Sequence, residues 1–194
     1  LHKEAADYSS ESSTRKKTRD NSHWLGEGRW ADAKSWELIG KTHLEYYKEL
    51  CALAGNQPQG KNMLEWGQGG GSNVFAYSSL FERVYGVDIS AANLEECSKC
   101  MLSKEISNFV TILIDASTPE EFSQSIDGFI DFFLSTAVFQ HFPGKEYGLR
   151  VARLAFDSLR HGGVALIQIR YDDGRAKYKS KQRNYKKNAI TFTS

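Results

Sequence analysis

With 194 residues, 40% of them hydrophobic and 25% charged, the chain can bury one sizeable core and reads as an α/β domain. A formal net charge of +1 gives no overall pull toward nucleic acid or an acidic membrane. No apolar run approaches the roughly 20 residues that span a bilayer, and the polar amino terminus lacks a signal-peptide core, so no membrane insertion and a cytoplasmic location are expected.

Residues 1–22 are polar and charged, with Ser9-Ser10-Glu11-Ser12-Ser13 and Arg15-Lys16-Lys17, and suit a flexible arm or a loosely docked helix. Residues 23–60 turn aromatic and helix-prone. Trp30, Trp36, Ile39, His43, Leu44, Tyr47, Leu50 and Leu53 mostly recur three or four positions apart, which predicts one buried stripe on an amino-terminal helical lid. From 61 to 171 the pattern alternates. Strands are expected near 62–66, 83–88, 109–114, 129–134 and 163–170, with helices near 72–81, 91–105, 118–125 and 145–160. Such alternation requires right-handed crossovers and a doubly wound parallel sheet covered on both faces. Residues 172–194 form a basic extension with interspersed Tyr178 and Tyr185.

The most informative stretch is Met63-Leu64-Glu65-Trp66-Gly67-Gln68-Gly69-Gly70-Gly71-Ser72-Asn73, an acid-tipped strand that runs into a glycine-packed turn. Residues without a β-carbon let the backbone turn sharply and lie against a ligand. Roughly twenty residues on, Gly86-Val87-Asp88-Ile89-Ser90 ends a second strand on a carboxylate, the spacing of a nucleoside site whose ribose hydroxyls an acid accepts. The loop departs from the dinucleotide pattern G-x-G-x-x-G, and Glu65 would repel a pyrophosphate. A carboxylate there suits a cationic ligand.

Three further signals follow in order: Ile114-Asp115-Ala116, then Ile130-Asp131-Phe132-Phe133-Leu134-Ser135-Thr136-Ala137-Val138-Phe139-Gln140-His141-Phe142, then Leu159-Arg160-His161-Gly162-Gly163-Val164-Ala165-Leu166-Ile167. With the glycine loop they resemble the class I S-adenosylmethionine-dependent methyltransferases over roughly residues 61–171. The resemblance implies a Rossmann-like sheet of order 3-2-1-4-5, normally completed by a further helix and two antiparallel strands that the sequence after 171 does not display. It implies S-adenosylmethionine as cofactor. The backbone of Gly67, Gly69 and Gly71 would pass the methionine moiety, Glu65 would orient its amino end, and Asp88 would take the ribose hydroxyls. Asp115 and Ala116 would meet the adenine edge, Ile89 its face, and Ser135 would contribute main-chain contact.

Methyl transfer needs an acceptor aligned with an already activated methyl group, and a hydroxyl acceptor also needs a base. His141 is the candidate base, its ordinary pKa being near neutral; the alternative is a histidine that braces the loop beneath the cofactor. Arg170 and Tyr171, at the end of the fifth strand, are candidates for binding the acceptor or an anionic group on it, or are ordinary edge residues. Leu134-Ser135-Thr136-Ala137 stands where enzymes acting on base or glutamine amines often carry an Asn/Asp-Pro-Pro-aromatic turn, so a small-molecule acceptor is expected. The rival is an RNA or protein methyltransferase, or a nucleic-acid-binding module, that uses Arg15-Lys16-Lys17 and the basic run from Arg175 to Lys187. Cys97-Ser98-Lys99-Cys100 has helical rather than metal-ligand spacing with its neighbours, and no metal is expected.

Overall fold

The computed structural model describes Glu4, Asp7, residues 15–180 and residues 190–192. A short helix α1 (Lys16–Asn21) and a 3-10 turn (Gly28–Trp30) precede the long helix α2 (Ala33–Ala54). Strands and helices then alternate as β1 (Gly60–Trp66), α3 (Ser72–Tyr77), β2 (Phe81–Asp88), α4 (Ala91–Ser103), β3 (Phe109–Leu113), β4 (Ile130–Ser135), α5 (Lys145–Ser158) and β5 (Leu159–Ile167). The five strands are all parallel, in the expected order β3-β2-β1-β4-β5.

Side-chain alternation along the central strands divides the core in two. Leu64, Trp66, Tyr85, Val87 and Phe133 pack on one face with Val151 and Ala155 of α5. Met63, Val84, Phe132 and Leu134 pack on the other with Trp36, Tyr47 and Cys51 of α2 and with Cys97 and Met101 of α4. Helix α2 therefore covers the sheet and not the cleft at its rim. The ring of Tyr47 lies 4.0 Å from that of Phe132 and 5.8 Å from that of Phe81. The buried stripe of α2 is Trp36, Gly40, Tyr47 and Cys51. Leu53 was expected on it, but the helix turns that side chain outward to 86% exposure and Cys51 fills the position.

Local chemistry sets the boundaries. Asp32 caps α2 by accepting from Ser35 N at 3.0 Å, and Ser90 caps α4 by accepting from Asn93 N at 3.3 Å. The helix expected over 118–125 is a 3-10 segment, Pro119–Ser125. Strand β5 begins four residues before its expected start at 163. Leu159 already pairs with Ile130, and Arg160-His161-Gly162-Gly163 bulges out before Val164 meets Phe132. At the far end Tyr171 bridges Phe192, with Phe192 N on Arg170 O at 2.8 Å and Asp172 N on Phe192 O at 3.1 Å. Most of the basic run from Arg175 to Lys187 lies outside the described residues.

Helices α2 and α3 cross at a glycine. Gly40 N donates to Ser72 Oγ at 3.1 Å, and that hydroxyl donates to Trp36 O at 2.7 Å. A methyl group at position 40 would sit 2.5 Å from Ser72 O and 2.6 Å from Ala76 Cβ, which are fixed parts of the facing helix. Gly40→Ala should therefore lose on the order of 1–2 kcal/mol of stability in urea unfolding, the overpacking outweighing its gain in helix propensity.

Candidate functional site

Parallel pairing brings the carboxyl ends of β1, β2 and β4 to one rim of the sheet, where ligands of doubly wound folds bind. The register sets Glu65 beside Gly86 and Trp66 beside Val87, so Glu65 and Asp88 end adjacent strands. A cavity of about 450 Å³ opens there, lined by Glu65, Gly67, Gly69, Asp88, Ile89, Ala116 and His141 among others. This brings together most of the residues singled out from the sequence.

The glycine turn folds tightly over the end of β2, with Gly67 N and Gln68 N both donating to Val87 O at 2.7 and 3.3 Å. Gly67 (φ +80°) and Gly69 (φ +53°) adopt left-handed conformations. A β-carbon at 67 would run into Val138, and one at 69 into the carbonyl of Ser22. These two positions thus need glycine for both conformation and space.

Asp88 is buried and firmly held. Its Oδ1 accepts from Ser90 N at 2.8 Å, while Oδ2 accepts from Gly69 N at 3.1 Å and from Asn93 Nδ2 at 3.2 Å. Burial raises its pKa, and those hydrogen bonds oppose the rise. Glu65 is buried with less support. Asn73 Nδ2 donates to its Oε1 at 2.5 Å, whereas Oε2 has no hydrogen-bond partner among the described residues. Desolvation pushes its pKa up to about 8 against the hydrogen bond from Asn73, and the charge of Asp88 adds to the rise.

Three residues expected at the cofactor, Gly71, Asp115 and Ser135, are not among those lining this cavity. Gly71 caps α3 over Cys97. Ser135 is fully buried and donates its hydroxyl to Trp66 O at 3.0 Å, so the next residue, Thr136, faces the cavity. Asp115 is turned to Ser117, accepting from its N and Oγ at 2.7 Å each, while Ala116 reaches the wall. Arg170 and Tyr171 line a second cavity of about 380 Å³ that shares Ala137 and Gln140 with the first.

His141 sits on the loop after β4, in a 3-10 turn. Protein on one side desolvates the ring while the other side meets the cleft mouth, and this partial burial, with the charge of Arg170, lowers its pKa. Gln140 Nε2 lies 3.3 Å from His141 Nε2; donation by the amide there leaves the neutral ring with its proton on Nδ1.

The sequence reading expected an arm and a lid but named none of the residues that cover the cavity. Thr18, Asn21, Ser22, His23 and Arg29, from the stretch read as arm and lid, line it directly. Ser22 O accepts from Gly70 N at 2.7 Å, and Trp24 Nε1 donates to Asn93 Oδ1 at 2.9 Å, the same Asn93 that holds Asp88. Burial, together with the charge of Arg29, lowers the His23 pKa to about 4, so that ring is neutral. Gln68 was also passed over. Its carboxamide is buried above Gly86, with neither Nε2 nor Oε1 hydrogen-bonded among the described residues. Only the tryptophans at 24 and 30 hinted in the sequence that this segment docks.

Residues 64–167 match the family model described as a methyltransferase domain. The chain belongs to this family. Its Rossmann-like sheet is that of the class I S-adenosylmethionine-dependent methyltransferases, whose methyl donor is S-adenosylmethionine. Among solved structures, an S-adenosylmethionine-dependent methyltransferase from Clostridium acetobutylicum is similar at 17% identity and TM-score 0.55, over 66% of this chain and 50% of that one. PKMT2 from Rickettsia typhi, solved with AdoHcy, is similar at 20% identity and TM-score 0.56, over 66% of this chain and 25% of that one. Coclaurine N-methyltransferase, bound to N-methylheliamine and SAH, is similar at 22% identity and TM-score 0.50, over 65% and 34%. At these identities the likeness is one of fold, and the methyltransferase domain described here spans half or less of each of those chains. No curated protein matches the chain. Among the described residues no helix is long and apolar enough to cross a membrane.

The buried acid of β1 gives the methyltransferase domain a pH signature. The folded pKa of Glu65, about 8, exceeds its ordinary 4.5, so the native state holds this proton more tightly than the unfolded chain. The stabilisation is complete below pH 4.5 and is lost as pH rises through 8. Urea midpoints of the wild type should show that fall between pH 4.5 and 8, and Glu65→Gln should flatten it.

Proposed function

We propose that this domain transfers the methyl group of S-adenosylmethionine to a small-molecule acceptor. The observation that carries the reading is a pair of buried carboxyl groups beside a glycine turn, all facing one cavity at the carboxyl rim of the sheet. The residues present fit the cofactor. Glu65 Oε2 and the Gln68 carboxamide are buried polar atoms still to be satisfied, and a β-carbon at Gly67 would narrow the cradle. A cavity of about 450 Å³ is also within the usual range for ligand sites.

When bound, the cofactor supplies a methyl group already activated by its sulfonium. Asp88 accepts from the ribose hydroxyls, Glu65 faces the methionine amino end, and the main chain at Gly67 and Gly69 lies along the methionine moiety. Ile89 packs on the adenine face and Ala116 meets its edge. Gly71, Asp115 and Ser135 act from outside the lining, capping α3, bracing the turn that holds Ala116 and fastening β4 to β1. His141, neutral near pH 7 because its pKa is lowered, is available to take a proton from the acceptor. Arg170 and Tyr171 stand on the acceptor side of the shared wall.

Calorimetry with S-adenosylmethionine tests the reading. Asp88→Ala should weaken binding by about 1.5–3 kcal/mol, the usual worth of hydrogen bonds to a charged group; Asp88→Asn, which keeps the side chain's size, should fall between it and wild type. Equal affinity for all three proteins would refute the ribose assignment. Glu65 should also release its proton when a cation enters beside it. Near pH 7 the binding heat should therefore depend on the buffer's ionisation enthalpy, and Glu65→Gln should remove that dependence.

A further inference from the structure

Helix α2 covers the sheet, yet one of its side chains is joined to the cofactor cleft by a chain of two hydrogen bonds. The close crossing of α2 and α3, where Gly40 N donates to Ser72 Oγ, brings His43, one turn on from Gly40, against Asn73, the residue after Ser72. His43 Nδ1 lies 2.9 Å from Asn73 Oδ1, and Asn73 Nδ2 donates to Glu65 Oε1 at 2.5 Å. Asn73 and Glu65 line the cavity, whereas His43 is half-buried and is not among the lining residues.

The direction of the chain follows from the amide. A carboxamide donates from nitrogen and accepts at oxygen, so an Asn73 that donates to Glu65 must accept from His43, and the imidazole must carry a hydrogen on Nδ1. Turned over, the same amide would present its oxygen to Glu65, where only a protonated carboxyl group could answer it. A donor at position 43 therefore selects the orientation in which Asn73 supports a carboxylate, and hydrogen bonding to the charged form favours that form. This support acts on an acid whose pKa desolvation and the charge of Asp88 push up to about 8. Glu65 Oε2, which has no hydrogen-bond partner among the described residues, is the oxygen left to a ligand. Besides Asp88, the titratable groups facing Glu65 are Tyr77 on α3 and Cys97 on α4, both kept protonated by burial and by the charge of Glu65. His23, on the cover, and Tyr46, on its own helix, face His43.

We propose that His43 is a positioning residue for the cofactor: through Asn73 it presents an N–H to Oε1 of Glu65 and leaves Oε2 to the amino end of S-adenosylmethionine. The proposal rests on the methyl-transfer reading only for the identity of the incoming cation. Both the acid and the carboxylate form of Glu65 accept from Asn73 Nδ2, so Asn73 need not turn when the cation enters. Removing the donor at position 43 strands Asn73 Oδ1, and the amide then gains by turning that oxygen toward the carboxyl hydrogen of Glu65. Glu65 would hold its proton more tightly, and a cation could claim the carboxylate only after displacing it.

The test compares His43→Phe, which keeps a ring and removes the donor, with His43→Asn, whose amide nitrogen can stand where Nδ1 does. Neither replacement titrates, and Asp88, Tyr77, Cys97, His23 and Tyr46 are the same in both, so a difference in pH dependence reports Glu65. In calorimetric titration of the full chain with S-adenosylhomocysteine, His43→Phe should bind about five- to tenfold more weakly than wild type near pH 7. The gap should close to about twofold near pH 9.5, where Glu65 is ionised in most molecules of each protein. His43→Asn should stay within about threefold of wild type throughout. Without ligand, the stability held by the Glu65 proton is complete at low pH and lost as pH rises through its folded pKa; the fall in urea midpoint should run about one pH unit further in His43→Phe than in His43→Asn. These transitions also show that each variant is folded, and His43→Leu replaces His43→Phe should that protein not fold. Undiminished binding by His43→Phe, equal weakening by the two variants, a loss that is the same at both pH values, or urea series that end together would overturn the proposal. Failure of the wild type to bind S-adenosylhomocysteine while the urea series still part would instead overturn the methyl-transfer reading and leave a relay that sets the proton of a buried acid.

Discussion

Two acids share one desolvated cleft because β1 and β2 run parallel in a register that ends them side by side. Burying like charges together is unfavourable unless donors or cations answer them. The protein answers Asp88 with three donors, from Gly69, Ser90 and Asn93, and answers one oxygen of Glu65 with Asn73. The remaining oxygen of Glu65 keeps the proton to a pKa of about 8. A cleft in that state favours a ligand that brings positive charge and ribose donors and disfavours a pyrophosphate, although both classes of ligand use the same rim of doubly wound sheets.

The same carboxylates tie the amino-terminal segment to the site. Asn93 donates to Asp88 and accepts from Trp24, while Ser22 lies on the glycine turn through Gly70 N. The glycine at 69 therefore serves the protein's own packing, since Ser22 O occupies the space a β-carbon would need. Residues 18–29 are fastened to the rim by the hydrogen bond from Gly70 N to Ser22 O and by the part-buried Trp24 N–H, which draws on the same Asn93 that holds Asp88. Helix α2, by contrast, belongs to the layer over the sheet, where Tyr47 stacks among Phe81, Tyr77 and Phe132.

What could be read from the sequence follows the range of the physics involved. Strand and helix alternation, the glycine turn, and the acids at 65 and 88 are local patterns, and the fold and the β1 and β2 side of the cleft follow from them. On the β4 side only a main-chain contact at Ser135 could be read, whereas the residue that lines the cavity is Thr136. A strand's side chains alternate faces, so Ser135 points into β1 while Thr136 meets the cavity. Asp115 and Ala116 lie in the turn after β3, where Asp115 binds Ser117 and Ala116 reaches the cavity. Which residues of the amino-terminal segment reach the cavity could not be read, because the contacts that fasten it to the rim are distant in the chain: Ser22 meets Gly70, and Trp24 finds Asn93 across a separation of 69 residues. Gln68 escaped for the opposite reason. A long polar side chain in a glycine turn reads as surface until Gly86 beneath it leaves room for it to bury.

The cleft's electrostatics also bear on how His141 could work. Near Arg170 the imidazolium is disfavoured, so the ring is neutral and able to accept a proton but weak as a base. Its Nε2 would first have to exchange the contact with Gln140 for one with the acceptor, and Gln140 has Ala137 O at 3.5 Å as a second partner for its amide. The exposed side of the ring then gives the proton a route to water.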